Sequence, residues 1–281
     1  MKCVVCLCVY NNQFGLPYCF DNIKRMAQCF EVLDVIAFYD ESTDNSLSLL
    51  QDFKTKYNHS VHIIVNKKPK SHLRTANIAV ARNSMLDYIR DGFVDYNYFI
   101  MMDTNEYACI GNINIHVLQS VLDNHDSWDA ISFDREAGYY DTWALSFDPY
   151  IYSFFHFINW PVVVNNMRLT FNKLLDDYKT NRPNELIPVY SAFNGFAIYK
   201  TNKFLKCSYS STIHPELFPA NMVLQQIDLT GDNIVPYLYD DCEHRKFHLE
   251  AIHRNGARVM ICTQSLFSKF KNPPPNLRGP A

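Results

Sequence analysis

Three short polar segments near the start of this 281-residue chain have side chains that could bind one ligand or cation together. Tyr10, Asn11 and Asn12 form the first segment, residues 40–42 (Asp-Glu-Ser) the second, and residues 103–105 (Asp-Thr-Asn) the third. Carboxylate and amide oxygens accept hydrogen bonds from hydroxyl-rich ligands, and they are the ligands that Mg²⁺ and Mn²⁺ prefer. The three segments can act on one molecule only if the fold brings them together.

Each polar segment lies at the end of an apolar run that is typical of a buried strand. Apolar runs at 3–10, 32–39, 61–65 and 98–102 alternate with helical patterns at 20–30, 46–56 and 76–89. This alternation predicts an α/β fold, a Rossmann-type α/β/α sandwich with a mainly parallel sheet. In open sheets of this kind, ligands bind beyond the carboxyl ends of the strands. We therefore expect the three polar segments to line one crevice.

The second half of the chain has a less regular pattern. It predicts a helix at 113–122, a strand at 130–133, two short strands within 187–199 hinged at Asn194 and Gly195, a helix at 243–255 and a strand at 258–262. We expect a single domain over residues 1–270, with halves at 1–106 and 107–270, followed by a Pro-rich tail at 271–281.

The composition argues against several classes of protein. The 26 Lys and Arg residues against 29 Asp and Glu give a net charge of −3, which provides no electrostatic footprint for nucleic acid. The presence of only 8 glycines argues against a Gly-rich phosphate loop. The apolar runs at 3–10 and 150–164 are too short to cross a membrane, and the first lacks a signal-peptide cleavage site. We therefore expect no integral membrane segment and a cytoplasmic location.

The chain contains nine cysteines, and three of them lie in the first apolar run. Cys6 and Cys8 would share one face of a strand while Cys3 points to the other, which is poor geometry for a shared zinc ion. This arrangement predicts buried free thiols and a reducing compartment.

Three local motifs resemble those of the GT-A glycosyltransferases, and of family 2 in particular. They are Asp-Glu-Ser-Thr-Asp-Asn-Ser at 40–46, Ala-Arg-Asn at 81–83 and Asp-Thr-Asn at 103–105, in the order and at the intervals found in that family. The second half resembles a narrower group of suspected glycosyltransferases from microbes and large DNA viruses. That likeness lies in residues 139–145 and 191–199, and in Asp-Cys-Glu-His at 241–244 followed by His248.

The resemblance implies a GT-A-like fold and the transfer of a sugar from a nucleoside-diphosphate sugar, with UDP or GDP as the nucleotide, to a hydroxyl group. It also implies a set of donor-binding residues: Val9, Tyr10, Asn11, Asp40, Arg74, Arg82, Asp103 and Gly195. Three of these residues have structural alternatives. Asp40 could cap the turn or helix that follows, Arg82 could form an ion pair with Asp103 or at the helix surface, and Gly195 could belong to a hairpin turn.

A carboxylate that faces a diphosphate repels it unless a divalent cation lies between them, so a cofactor, Mn²⁺ or Mg²⁺, is expected. The resemblance implies Asp103, Asn105 and His248 as the metal ligands. Asn105 departs from the family pattern, which has a second carboxylate at this position, and Glu106 could take over that role. His248 could instead be a structural histidine of its helix.

An inverting transfer needs a carboxylate that removes the proton of the acceptor hydroxyl. The resemblance points to Glu243, at the start of the predicted helix at 243–255, as this catalytic base. The alternative is a first-turn residue that only interacts with the helix dipole.

The residues of the acceptor side are less clearly marked. Asp141 and Asp148 could line the acceptor pocket, and Trp143 with Tyr139 and Tyr140 could either form a platform for a sugar or belong to the core. The resemblance implies a hexosyl or pentosyl group as the sugar and a glycan, glycoprotein or glycolipid as the acceptor partner.

Two other functions stay open. A sugar nucleotidyltransferase would use the same kind of sheet, but we would expect a Gly-rich basic loop where this chain has Tyr-Asn-Asn-Gln-Phe-Gly at 10–15. A non-catalytic protein that binds a carbohydrate or a nucleotide sugar is compatible with the neutral Asn105. If the chain is viral, the cytoplasm concerned is that of the host.

Overall fold

A computed structural model describes residues 1–105, 111–136, 138–234 and 240–268, and an eight-stranded sheet runs through this part of the chain. Its strands are β1 (Lys2–Val9), β2 (Val32–Tyr39), β3 (Val61–Val65), β4 (Tyr98–Asp103), β5 (Ala130–Asp134), β6 (Ile187–Val189), β7 (Phe196–Lys200) and β8 (Val259–Ser265). Their spatial order is β3-β2-β1-β4-β7-β5-β8-β6. The tail predicted at 271–281 and the alternative ligand Glu106 lie outside the described residues.

Helices cover both faces of this sheet. They are α1 (Leu16–Met26), α2 (Ser46–Lys56), α3 (Arg74–Gly92), α4 (Ile115–Asp123), α5 (Trp160–Asn181), α6 (Thr201–Phe204), α7 (Ala220–Thr230) and α8 (Glu243–Asn255). Buried side chains of α1, α2 and α4 form one apolar core with the sheet, and those of α3, α5 and α8 form another on the opposite face. The predicted three-layer α/β/α architecture is confirmed.

The sheet is mainly parallel, as predicted. Strands β3, β2, β1 and β4 are parallel to one another, whereas β7 runs antiparallel between β4 and β5. The two strands expected within 187–199 are present as β6 and β7, but they are not neighbours, because β6 pairs with β8. Asn194 and Gly195 therefore do not form the turn of a hairpin.

The side chains of β1 alternate between the two cores. Cys3, Val5 and Leu7 lie in the core of α1, α2 and α4, while Val4 and Cys6 lie in the other. This is the period of two that a strand buried on both faces requires. The described cysteines are free, and all of them except the half-buried Cys8 are buried, in line with the prediction of structural thiols.

Helix α5 is the main element that the sequence analysis did not predict. Its first turns contain Val162, Val163 and Val164, and β-branched residues have low helix propensity. The helix is held by its buried face, to which Met167, Phe171, Leu175 and Tyr178 contribute at spacings of three and four residues. No helix in the described part of the chain is both long enough and apolar enough to cross a membrane.

The central position of β1 can be tested by a pair of matched substitutions. Leu7→Ala should lower the free energy of unfolding by about 3 kcal/mol, because Leu7 is fully buried and its truncation leaves a cavity. Leu224→Ala removes the same atoms from a side chain on α7 that is 59% exposed, and should change this free energy by less than about 0.5 kcal/mol. Urea unfolding of both variants measures the difference, and equal losses would contradict the placement of Leu7.

Candidate functional site

A cleft of about 590 Å³ lies at the carboxyl ends of β1, β2 and β4, beside the start of α3. The lining includes six of the residues that the sequence analysis selected: Val9, Tyr10, Asp40, Arg74, Asp103 and Asn105. It also includes residues that were not selected, among them Lys70, Ser71, His72 and Asn77. The three polar segments therefore meet in one crevice, because parallel strands end at the same edge of the sheet.

The loop after β1 is held by the loop after β2. The backbone N–H of Asn11 donates to Ser42 Oγ at 3.0 Å, and its side-chain oxygen accepts the N–H of Thr43 at 2.8 Å. The N–H of Asn12 donates to Ser46 Oγ at 2.8 Å. Asn11, which has a positive φ of 52°, thus braces the two loops, and it is not among the residues that line the cleft.

Asp40 presents its carboxylate to the cleft and is surrounded by donors. Its Oδ1 accepts a hydrogen bond from Asn66 Nδ2 at 3.0 Å, and its Oδ2 lies 3.4 Å from Lys70 Nζ. The same ammonium group lies 4.0 Å from the centre of the Tyr10 ring, which is exposed. The capping role considered for Asp40 belongs to Asp44, which accepts the N–H of Ser46 at 3.0 Å.

Asp103 ends β4 and is fixed through both its backbone and its side chain. Its N–H donates to the carbonyl oxygen of Gly195 at 2.9 Å, and its Oδ1 lies 3.2 Å from Arg82 Nη2. Asn194 and Gly195 both have positive φ, 55° and 83°, so a tight left-handed turn brings this carbonyl to β4. Gly195 contributes a backbone oxygen that positions Asp103, and it is not among the residues that line the cleft.

Arg82 is buried between two carboxylates. Its Nη2 contacts Asp103, and its Nε lies 3.3 Å from Glu243 Oε1. Its Nη1 pairs with the ring nitrogen Nε2 of His244, and the guanidinium lies 4.5 Å from the centre of the Phe193 ring. Of the alternatives considered for Arg82, the structure shows the ion pair with Asp103, and Arg82 is not among the residues that line the cleft.

Glu243 begins α8, as predicted, and is brought close to Asp103 because both carboxylates contact the same guanidinium. Its side chain is only 6% exposed and does not line the cleft. Burial raises the pKa of the Glu243 carboxyl, and the neighbouring Arg82 counteracts this increase. The catalytic role of Glu243 stays a prediction.

The structure does not bring His248 to this site. Its Nδ1 is hydrogen-bonded to Ser191 Oγ at 2.9 Å and its Nε2 to Tyr199 Oη at 3.1 Å, and the residue is fully buried. Burial, together with the charge of Arg82, lowers the pKa of His248 to about 3, so the ring is neutral. Because both ring nitrogens are engaged in the core, His248 is corrected from a metal ligand to a structural histidine, the alternative considered for it.

Of the predicted metal ligands, Asp103 and Asn105 line the cleft, and they offer one carboxylate and one amide oxygen to a divalent cation. Within the described residues, no group of three or more His, Cys, Asp or Glu side chains could hold a metal ion. Mg²⁺ is commonly held by one or two carboxylates, water and the phosphates of a substrate. Asp103 and Asn105 fit an open site of this kind, with less charge than a pair of carboxylates would supply.

The lining of the cleft also carries cationic side chains. Arg74 is exposed at the first turn of α3, whose free N–H groups carry a partial positive charge, and Lys70 precedes that helix. Arg74 has no ion pair among the residues that the structure describes. The sequence carries a signal for these cations, the basic run Lys67, Lys68 and Lys70 before the helix.

Asn194 is a second functional candidate that the sequence analysis treated only as a hinge. It is buried, and its side-chain oxygen accepts the N–H groups of Tyr140 and Asp141 at 3.2 and 3.3 Å. Its side-chain nitrogen donates to the carbonyl oxygen of Phe133 at 2.8 Å.

On the acceptor side of the chain, Tyr139 is buried against Phe171 and so belongs to the core.

The first part of the chain matches a known family. Residues 4–103, which hold β1 to β4, match the profile of Glycosyl transferase family 2. This match and the observed sheet show a GT-A fold similar to that of family 2, as the motifs predicted. No curated protein matches the chain.

Solved structures that are similar to this one include S. aureus TarS 1–349, with a TM-score of 0.45 and 13% identity over 95% of this chain and 59% of that chain. The complex of S. aureus TarS 1–349 with UDP-GlcNAc has a TM-score of 0.43 and 13% identity over 97% of this chain and 60% of that chain. Glucosyl-3-phosphoglycerate synthase from Mycobacterium tuberculosis in complex with UDP has a TM-score of 0.43 and 8% identity over 98% of this chain and 73% of that chain. This chain thus spans about three fifths of the length of TarS 1–349.

Removal of the buried Arg82 guanidinium should destabilise the protein in a pH-dependent way. Arg82→Ala leaves Asp103 and Glu243 without their shared partner, which should cost about 3–5 kcal/mol of unfolding free energy at pH 8. Burial already raises the pKa of both carboxyls, and loss of Arg82 raises them further. Carboxyls with a raised pKa in the folded state destabilise it as the pH increases, so the loss should be smaller at pH 5.

Urea unfolding of this variant at pH 5 and pH 8 measures the difference. The matched control is Arg25→Ala, since Arg25 is exposed on α1 and its removal should change stability little at either pH. A loss in Arg82→Ala that is the same at both pH values would contradict the contacts assigned to Arg82.

Proposed function

Because residues 4–103 match Glycosyl transferase family 2, we propose that this chain transfers a sugar from a nucleoside-diphosphate sugar to a hydroxyl acceptor. The observation that supports the proposal most directly is the cleft at the ends of β1, β2 and β4. One part of its lining carries acidic and amide oxygens, and another carries cations. A nucleotide sugar needs both, because it combines a hydrogen-bonding nucleoside with a charged diphosphate.

The nucleoside lies on the side of Asp40 and Tyr10 in this proposal. The carboxylate of Asp40 accepts hydrogen bonds from the base or the ribose, and the exposed Tyr10 ring offers an apolar face. Lys70 contacts both residues, so it holds this part of the cleft in place. UDP and GDP both offer suitable donor groups to a carboxylate.

The diphosphate lies between the start of α3 and the end of β4. Arg74 and the N–H groups of the first turn of α3 offset its negative charge. A Mn²⁺ or Mg²⁺ ion held by Asp103 and Asn105 would supply further positive charge to the departing diphosphate. Arg82 and Gly195 keep Asp103 in position for this role.

The acceptor approaches the sugar from the side opposite the diphosphate, which gives inversion at the anomeric carbon. A carboxylate on the acceptor side takes the proton of the attacking hydroxyl. Glu243 is the candidate from the sequence, and its contact with Arg82 gives it a second role, the stabilisation of that buried cation. The acceptor class proposed is a glycan, a glycoprotein or a glycolipid, and the transferred group a hexosyl or pentosyl unit.

Nucleotide release tests the proposed activity. The protein should release UDP or GDP from at least one member of a panel of nucleotide sugars in the presence of Mn²⁺ or Mg²⁺, and more slowly with a chelator. Asp103→Asn should reduce the rate, since it removes the carboxylate at the proposed metal site. Asp123→Asn, at an exposed position on α4, is the matched control. Tight nucleotide-sugar binding without release from any donor would favour a binding protein, the alternative that the neutral Asn105 suggests.

The role of Arg74 can be separated from that of the nucleoside site. Arg74→Gln should weaken the binding of UDP about 10-fold or more, because a charge-assisted contact to the diphosphate is lost. The binding of uridine, which has no phosphate, should not change. Isothermal titration of both ligands measures the two effects, with Arg25→Gln as the control. An equal loss of affinity for UDP and uridine would place Arg74 away from the diphosphate.

A further inference from the structure

The segment between β5 and α5 contains a carboxylate, Asp141, with the properties of a proton acceptor. We propose that Asp141, rather than Glu243, is the catalytic base that takes the proton of the acceptor hydroxyl. This inference rests on the proposed sugar transfer and names the residue that performs one step of it.

The contacts of Glu243 leave it poorly suited to this step. Its Oε1 lies 3.3 Å from Arg82 Nε and 3.6 Å from His244 Nε2, and its Oε2 lies 3.9 Å from Cys242 Sγ. A hydroxyl group would have to enter the core to reach either oxygen. A proton on Glu243 would also remove the negative charge that the buried Arg82 requires.

Two backbone N–H groups hold the carboxylate of Asp141 in one orientation. Its Oδ1 accepts the N–H of Ala144 at 3.2 Å, and its Oδ2 accepts the N–H of Asn194 at 3.3 Å. Asn194 in turn accepts the N–H of Asp141, so the two residues orient each other. Each carboxylate oxygen can accept one more hydrogen bond. Asp141 is half-buried, and within the described residues no cation forms an ion pair with it.

Asp141 is linked to the donor site by a short path of backbone contacts. Asn194 holds Asp141, and the next residue, Gly195, accepts the N–H of Asp103 at 2.9 Å. Burial, and then the negative charges of Asp103 and Glu243, raise the pKa of Asp141 to about 6. The carboxylate therefore lies within electrostatic reach of both residues. A base whose pKa lies near the working pH transfers protons efficiently.

The same segment carries side chains that suit a sugar acceptor. Trp143, two residues after Asp141, is half-buried, and its ring centre lies 6.1 Å from that of Phe154 and 6.1 Å from that of Phe155. Trp160 stacks on Phe154 at 5.6 Å. Apolar rings combined with a few polar groups are typical of small-molecule sites, and here the rings can pack on the C–H face of a sugar.

The proposed step is a single displacement. The acceptor oxygen forms a bond to the anomeric carbon while its proton passes to the Asp141 carboxylate. The bond between the anomeric carbon and the phosphate oxygen breaks, and its electron pair stays on the nucleoside diphosphate. Asp141 later returns the proton to water.

The test compares two nucleophiles in the variant Asp141→Asn. Water must lose a proton when it attacks the donor, whereas the azide ion has none to lose. The donor is the nucleotide sugar from which the unchanged protein releases nucleotide fastest. The variant should hydrolyse this donor about 10²–10⁴-fold more slowly than the unchanged protein. Formation of the glycosyl azide and the affinity for UDP should not change. The ratio of the two rates does not depend on the folded fraction of the preparation.

Two further variants complete the experiment. Glu243→Gln should lower both rates together, since it disturbs Arg82 and through it Asp103. Asp123→Asn, exposed on α4, should leave both rates unchanged.

Three results would overturn the inference. An equal loss of both rates in Asp141→Asn would mean a structural role for Asp141. A selective loss of hydrolysis in Glu243→Gln would return the role of base to Glu243. Hydrolysis that is unaffected in Asp141→Asn would exclude Asp141 while the proposed transfer still stands, whereas absence of nucleotide release in the unchanged protein would remove the proposed function and this inference together.

Discussion

The buried guanidinium of Arg82 is the contact on which the geometry of the candidate site depends. It joins α3 to the end of β4 through Asp103 and to the start of α8 through Glu243. Two carboxylates can lie this close together in a poorly solvated place only because a cation lies between them. The neutral ring of His244 and the face of Phe193 complete the surroundings of the guanidinium. The direction in which Asp103 faces the cleft is thus set by elements from both halves of the chain.

The antiparallel strand β7 provides the second connection between those halves. It lies between β4 and β5, so the parallel strands of the first half and those of the second share one sheet. The turn that precedes it, at Asn194 and Gly195, contacts Asp103 on one side and Asp141 on the other. A single turn therefore couples the proposed donor site to the proposed acceptor site, and its two positive φ angles are what allow this close approach.

Much of the fold followed from periodicity, and part of the site followed from the fold. Asp40 and Asp103 could be placed in the cleft because the residues at the carboxyl ends of neighbouring parallel strands must lie together. The same reasoning could not place His248, since the spacing of a helix does not reveal which neighbours its inner face meets. Lys70 was missed because its partners, Asp40 and Tyr10, come from two other loops. Helix α5 was missed because packing outweighs the low propensity of its first turns.

The order of residues alone was enough to predict the parallel strands β1 to β4 and the edge at which a ligand would bind, because these depend on local periodicity and on the chirality of the chain. Tertiary packing decided the charge state and the accessibility of each carboxylate. Asp103 and Glu243 share a cation, Glu243 is enclosed, and Asp141 is half-buried without an ion pair among the described residues. These properties arise from desolvation and from contacts between residues that are far apart in the chain, and no local pattern contains them.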